Sequence, residues 1–329
     1  VWRGSAASLV DLTPAGDITS FPGGVFAGRQ AGGSNGATRG AKIWSGTPES
    51  YVTLHPAGAV DSQARAMDAE QQAGSAVFDE TFLLARACVW SGTAASWVEL
   101  HPEGAIESYA TGVDGGEQVG VAHIDGPPHA SLWSGTAASW VDLQPAGALY
   151  SEANGVYAGV QVGYAYLGAD HAGMWRGTAV SWVDLNPPGA SQSHAFAIGR
   201  GMQAGDATIG GRKRAGIWAG SASSWEDLSV ALGSGWRDST ARGVWRNGRT
   251  VFVVGSGVNV ATGREEALLW TRPVACPGDF NADGQVDFFD YLDFAIAFSA
   301  GDLGADYDEN NQVDFFDYLD FVQAFDQAC

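Results

Sequence analysis

Apolar residues recur along this chain in short runs that alternate with polar or small residues and end near glycine. Runs of this length and period predict β-strands separated by tight turns. Tryptophan marks a longer period. Trp2, Trp44, Trp90, Trp133, Trp175, Trp218 and Trp270 are separated by 42, 46, 43, 42, 43 and 52 residues. The first six each open a common phrase, read as "WSGTAASWVELHPEG" at Trp90, "WSGTAASWVDLQPAG" at Trp133 and "WRGTAVSWVDLNPPG" at Trp175. A Ser-x-Ala segment, a segment ending near Gly-x-Ala and an Ala-x-apolar-Trp segment complete the period.

Four strands in each repeat of about 43 residues, with a fixed tryptophan, predict the blades of a six-bladed β-propeller over residues 1–272. A lone four-stranded sheet leaves both faces wet, so the recurring Trp, Val, Leu and Ala need neighbouring blades to cover them. "SLVDL" near the N-terminus is placed to supply the last strand of the sheet containing Trp270. One Trp strand, at Trp2 or at Trp270, is then in surplus. Asn247-Gly248 predicts a type I′ hairpin turn. A second aromatic column, Trp97, Trp140, Trp182 and Trp225, reads as core, with a sugar-stacking platform as the sharper alternative.

The pattern changes in residues 273–329. "DFNADGQVDFFD" begins at Asp279 and "DYDENNQVDFFD" at Asp306. Calcium prefers six to eight oxygen ligands, and a twelve-residue loop supplies them from positions 1, 3, 5, 7, 9 and 12. In the first copy these are Asp279, Asn281, Asp283, the backbone carbonyl of Gln285, Asp287 and Asp290. In the second they are Asp306, Asp308, Asn310, the carbonyl of Gln312, Asp314 and Asp317. Gly284 holds position 6 of the first loop and Asn311 that of the second. Both loops run into "FFDYLDF", where Phe288, Leu292 and Ala295, and likewise Phe315, Leu319 and Val322, fall on one helical stripe. The sequence therefore predicts a small helical module holding two Ca2+ ions, with folding coupled to the metal because the clustered carboxylates repel one another.

Charge sharpens this division. The formal charge is −20, yet residues 276–329 hold twelve Asp, one Glu and no Lys or Arg. No basic stripe is present to neutralise phosphates, which argues against nucleic acid as a partner. No apolar run approaches the roughly 20 residues of a membrane-spanning helix. Cys276 and Cys329 bracket the acidic segment, and a bridge between them closes a loop of about 54 residues, worth roughly 4 kcal/mol. That placement predicts an oxidising, extracellular or cell-surface setting. A chain starting at Val1 with no signal peptide reads as a processed product. Cys88 reads as a buried free thiol.

Catalytic constellations are not legible. The histidines at 55, 101, 123, 129, 171 and 194 show no metal-ligand spacing. His55 and His101 share a repeat column with Thr13, Gln144, Asn186 and Ser229 and read as turn residues. His129 and His171 share another with Arg86, Arg214 and Glu266 and read as a solvated strand end. Asp11, Glu99, Asp142 and Asp184 lie in the repeated "WVDL" column and read as makers of turn hydrogen bonds. "GGSNG" (Gly32 to Gly36) matches a nucleophile-elbow pattern without its strand–turn–helix context.

"HASLW" (His129 to Trp133) and "HAGMW" (His171 to Trp175) resemble the core of the extracellular HAF repeats, which implies a secreted propeller. The doubled loop-and-helix, with Asp at position 12 of each loop, resembles the type I dockerin. That resemblance implies a calcium-folded module that contacts a cohesin-like domain through Phe288, Phe289, Phe315 and Phe316. The surplus Trp strand at one end and a docking module at the other suggest another copy of the chain as the alternative partner, in a head-to-tail assembly that can extend into a filament. The expectation is a secreted, non-catalytic assembly protein, with a tethered polysaccharide-binding or glycan-degrading propeller as the alternative.

Overall fold

A computed structural model describes residues 6–281, 284–308 and 312–327. Within them the chain is mainly β. Six antiparallel sheets follow one another in sequence, each with its strands in sequential order, and these are the blades that the repeat predicts. The first sheet comprises β1 (Asp17–Phe26), β2 (Arg29–Gly36), β3 (Gly40–Trp44) and β4 (Val52–Thr53). The second comprises β5 (Asp61–Met67), β6 (Gln72–Val77), β7 (Ala85–Trp90) and β8 (Val98–Glu99). The third comprises β9 (Ser108–Asp114), β10 (Glu117–His123), β11 (Pro128–Trp133) and β12 (Val141–Asp142). The fourth comprises β13 (Ser151–Tyr157), β14 (Val160–Tyr166), β15 (Asp170–Trp175) and β16 (Val183–Asp184). The fifth comprises β17 (Ala190–Gly199), β18 (Met202–Ile209), β19 (Arg212–Trp218) and β20 (Glu226–Asp227). The sixth comprises β21 (Trp236–Arg246), β22 (Thr250–Asn259) and β23 (Glu265–Pro273). Two helices follow, α1 (Phe288–Ala300) and α2 (Phe315–Phe325).

Residues 8–12, expected to complete the sheet of Trp270, belong to no strand, and among the described residues that sheet has three strands. Trp2 lies outside the described residues. The chain divides into two units, Val1–Val183 and Asp184–Cys329. In the first unit the core lies between successive sheets. Ala31, Ile43 and Leu54 of the first repeat join Ala64, Ala76, Cys88 and Trp90 of the second in one apolar cluster. Ala73, Val89 and Leu100 likewise join Ala110, Ala122 and Trp133. The second unit repeats this arrangement, with Met202, Ala204 and Ile217 against Ala241, Val251, Val253 and Trp270.

Each recurring polar letter has a hydrogen-bonding task, which is why the phrase is kept. The serine of "TAAS" closes the turn between the third and fourth strands. Ser96 Oγ accepts from Ser91 N at 2.8 Å and donates to Thr93 O at 2.7 Å, and Ser139 and Ser181 do the same. A buried glutamine on the second strand of each of the first five sheets accepts from the glycine after the tryptophan. The pairs are Gln30–Gly46, Gln72–Gly92, Gln118–Gly135, Gln161–Gly177 and Gln203–Gly220, at 2.8–3.0 Å. A serine on the first strand of one sheet accepts from a third-strand N–H of the preceding sheet, as Ser62 from Ala41 N, Ser108 from Ala87 N and Ser151 from Ala130 N. These buried serines join neighbouring repeats.

The His55/His101 column supports the same serines. His101 Nε2 lies 3.0 Å from the Ala105 carbonyl, which only accepts, so Nε2 carries the proton and Nδ1 accepts from the Ser108 hydroxyl at 2.8 Å. Gln144 takes the same place in the next repeat, bonding Ser151 and the Ala148 carbonyl. A Ser–His pair thus recurs as a structural brace. Ser108→Ala is expected to leave the buried Ala87 N–H without its acceptor and to cost about 1–3 kcal/mol. Urea denaturation measures this, and an unchanged midpoint would contradict the brace.

Burial holds the His101 imidazole below its ordinary pKa. The unfolded chain therefore takes up a proton near pH 6.5 while the folded chain does not. The contribution of neutral His101 is present above that pH and is lost as pH falls through it. His101→Gln is expected to flatten this part of the stability profile below about pH 6.5, as read from denaturation midpoints across pH.

Candidate metal centre

The two acidic loops precede α1 and α2, and the same residues that would bind metal also start the helices. Asp287 Oδ1 accepts from Phe289 N at 2.8 Å, and Asp290 Oδ2 accepts from Asp287 N at 2.8 Å, which together form a capping box. Asp314 and Asp317 repeat it with Phe316 N and Asp314 N, each at 2.8 Å. The second oxygen of each position-12 carboxylate turns back to its loop. Asp290 Oδ1 accepts from Asn281 N at 3.0 Å. Asp317 Oδ1 accepts from Tyr307 N at 2.6 Å and from Asp308 N at 3.1 Å. Asp279 Oδ2 accepts from Gly284 N at 3.0 Å. Gly284 has φ +88°, the left-handed conformation that position 6 needs.

The acids are inside and the phenylalanines outside. Asp290 and Asp317 are fully buried, with Asp279 and Asp306 nearly so, while Phe288, Phe289, Phe315 and Phe316 are 62–67% exposed. The predicted stripe is the outer face of each helix, with Phe288, Leu292, Phe315, Leu319 and Val322 exposed. The core is instead Phe280, Phe294, Ala297, Ala305, Tyr307 and Phe321, with Phe294 and Phe321 stacked at 3.9 Å between centroids. A helix here has two candidate apolar faces, and the one carrying the position-12 aspartate turns inward.

Carboxylate oxygens of Asp306, Asp308 and Asp317 all lie within 4.8 Å of one another. In the first loop Asp279, Asp287 and Asp290 are described, and their loop is drawn in by the hydrogen bonds above. Gln285 and Gln312, expected to contribute backbone carbonyls, have exposed side chains. Asp283 and Asn310 lie outside the described residues, as does Cys329 and with it the expected bridge to Cys276. Oxygen-only donors that converge as Asp306, Asp308 and Asp317 do, two of the three buried, fit a hard divalent cation.

The module sits on two hairpins of its own unit, and arginine makes the joint. Arg246, buried at the end of β21, donates from Nη2 to the Asp279 carbonyl at 2.6 Å. Arg200, at the turn between β17 and β18, pairs with Asp302 at 3.0 Å and lies 4.5 Å over the Phe280 ring. Arg249, after β21, pairs with Asp320 at 2.9 Å. Sequence reading missed all three, since nothing local links them to residues 33 to 102 positions away.

The Asn247-Gly248 turn differs from the expected type I′. Neither residue has positive φ. Asn247 Oδ1 instead accepts from Arg249 N and Thr250 N, an Asx-type turn. Glycine is required by close approach, because a Cβ on Gly248 would fall 2.1 Å from the Tyr307 ring. Gly248→Ala is expected to lift the module from the hairpin and cost about 1–3 kcal/mol. The check is a lower midpoint for the helical transition with little change in the strands, whereas a midpoint equal to wild type would refute the contact.

The other columns serve the fold. Asp142 Oδ1 accepts from Gln144 N, Asp184 Oδ1 from Asn186 N and Asp11 Oδ1 from Thr13 N. Arg86–Glu99, His129–Asp142 and Arg214–Asp227 pair third with fourth strands at 2.8–2.9 Å. Trp182 and Trp225 pack against Trp175 and Trp218 with centroids 4.6 and 4.5 Å apart. Ser34 of "GGSNG" is buried in β2 and donates to Asp17. Burial pushes the thiol of Cys88, a free cysteine, well above its ordinary pKa. Among the described residues no helix is long and apolar enough to cross a membrane.

No family model matches the chain. No curated protein matches it. Solved structures do. A puromycin hydrolase mutant complexed with PGG is 13% identical with a TM-score of 0.49, over 80% of this chain and 47% of that one. A post-proline cleaving enzyme from Rickettsia typhi is 10% identical with a TM-score of 0.43, over 80% and 46%. A prolyl endopeptidase is 10% identical with a TM-score of 0.41, over 77% and 42%. The chain thus spans about half the length of these structures or less, and the likeness concerns the fold alone.

These neighbours correct the functional expectation. They are a hydrolase and proline-directed peptidases, not docking or assembly proteins. That reading is not retained.

Proposed function

We propose that residues 279–290 and 306–317 each bind one calcium ion, and that calcium holds the helical module in its folded, hairpin-docked form. The observation that carries this is the pair of fully buried carboxylates, Asp290 and Asp317, the latter grouped with Asp306 and Asp308. Buried like charges are costly unless a cation or hydrogen bonds compensate them. Backbone N–H groups meet part of that demand, and a divalent ion meets the rest. The resemblance of the doubled loops to the type I dockerin supports the same metal. A bridge between Cys276 and Cys329, expected from the sequence, together with the HAF-like phrases would place the module in an extracellular setting, where millimolar calcium suits loops of this kind. No reaction is assigned to the propeller.

Calcium titration by calorimetry tests the proposal, with two ions per chain as the expected stoichiometry. Asp306→Ala with Asp317→Asn should reduce it to one. Two ions still bound by that variant, or none bound by the wild type, would exclude these loops as the sites.

A further inference from the structure

A second site, unrelated to calcium, opens beside β19. Arg212, Lys213, Arg214 and Arg237 line one cleft of about 250 Å3 together with Leu232, Trp236 and Asp238. Four of the 17 basic residues of a chain with formal charge −20 meet there.

Two of the four have structural partners. Arg214 pairs with Asp227 at 2.8 Å, the third-to-fourth strand pair seen in other repeats, and Lys213 lies 3.6 Å from the buried Asp206. Arg212 and Arg237 are exposed and have no ion pair among the described residues. Their columns show that the fold does not ask for them. Arg212 stands where the earlier repeats have Thr38, Leu84, Pro127 and Ala169, and Arg237 where they have Val60, Ile106, Leu149 and Ser191.

The wall of the cleft is also peculiar to this repeat. Residues Leu228–Gly235 form a 3-10 segment where earlier repeats turn through "PAG", "PEG" or "PPG", and this stretches the distance from the repeat tryptophan to the next inter-sheet serine from 18 residues to 21 (Trp218 to Ser239). The strand that follows carries a bulge between Arg237 and Ser239, with Asp238 at φ +46°. Bulges re-aim side chains, and a non-glycine residue at positive φ marks backbone held out of its preferred region.

We propose that this cleft binds a small organic anion. The guanidinium forks of Arg212 and Arg237 would take its carboxylate or phosphate group, with Leu232 and Trp236 against its apolar part. Arginine forks match such oxyanions in a bidentate manner. The volume lies below the several hundred Å3 of drug-sized pockets and suits a fragment-sized ligand.

The probes are phenyl phosphate and benzoate, with benzyl alcohol as the neutral control, titrated calorimetrically into the calcium-loaded full chain. One-to-one binding of an anionic probe, weakened by added salt and absent for benzyl alcohol, is expected, and the stronger probe identifies the headgroup. Arg212→Gln with Arg237→Gln should weaken binding roughly tenfold per guanidinium, while Arg264→Gln, in the turn before β23 and outside the cleft lining, leaves it unchanged. Arg237→Lys, which keeps the charge and loses the fork, should fall between, and it stands in if the double variant misfolds. Failure of both anions to bind, equal binding of benzyl alcohol, or an equal loss in Arg264→Gln would overturn the proposal.

Discussion

Chelating calcium from the full chain is expected to unfold residues 276–329 while the β-strands keep their amide protection. The apolar core of the module is small, six residues centred on Phe294 and Phe321, and domains of this size are marginal without a staple. Each ion present at 100 times its dissociation constant contributes about 2.7 kcal/mol. Two such ions therefore supply stability comparable to that of a whole small domain. Without them, Asp279, Asp290, Asp306 and Asp317 are buried near one another's loops, in a segment with no Lys or Arg. Solvating them by unfolding is the cheaper state. Asp279→Ala with Asp306→Ala should reproduce the effect in saturating calcium. Hydrogen exchange of Phe294, Ala297 and Phe321 amides is the measurement, and equal protection in wild type, chelated protein and double variant would end the metal assignment.

Replacing Arg246 should have the next largest effect. Its side chain is buried, and burial lowers its pKa from the usual arginine value, so the fold tolerates the charge only because the group is used. It donates to the carbonyl of Asp279, the first residue of the first loop. Arg246→Met keeps much of the side-chain volume and removes the donor, at a cost of about 2–4 kcal/mol. Calcium affinity should fall more at the first loop than at the second, because Arg246 hydrogen-bonds the Asp279 and Phe280 carbonyls of the first. Two-site calorimetry with the Asp306→Ala background isolates the first loop. Unaltered affinity there, together with an unshifted melting transition, would show that the arginine is a bystander.

The repeat made much of the fold legible. A period of about 43 residues with four runs of alternating burial has few physical solutions, and six successive sheets are among them. Column reasoning also placed the WVDL acids in turns, since a residue needed once for chemistry has no cause to recur in every repeat. The turn at Asn247-Gly248 was misread because its residues answer to Tyr307, 59 positions later, and not to the local hairpin. Which face of each helix turns inward was not legible for a related reason. Phe288 and Phe294 are equally apolar in the sequence, and only the inward turn of Asp290 selects the second. Arg200, Arg246 and Arg249 carry no local signal, since an arginine at a hairpin end reads as solvated until its acidic counterpart is in view. The cleft beside β19 was readable in principle, from the 21-residue distance between Trp218 and Ser239 and the run "RKR", but only once the repeat columns are compared.

The serines that accept from the sheet before them bear on how small a piece of this protein can stand alone. Ser62, Ser108 and Ser151 each have the satisfied partner in a different repeat, and the apolar clusters straddle the same boundaries. A single excised 43-residue repeat would thus keep its hairpins while losing both its greasy lining and the acceptor for a buried amide. The shortest autonomous fragment is a run of consecutive repeats, and cutting points chosen by sequence period alone will sever what they aim to isolate.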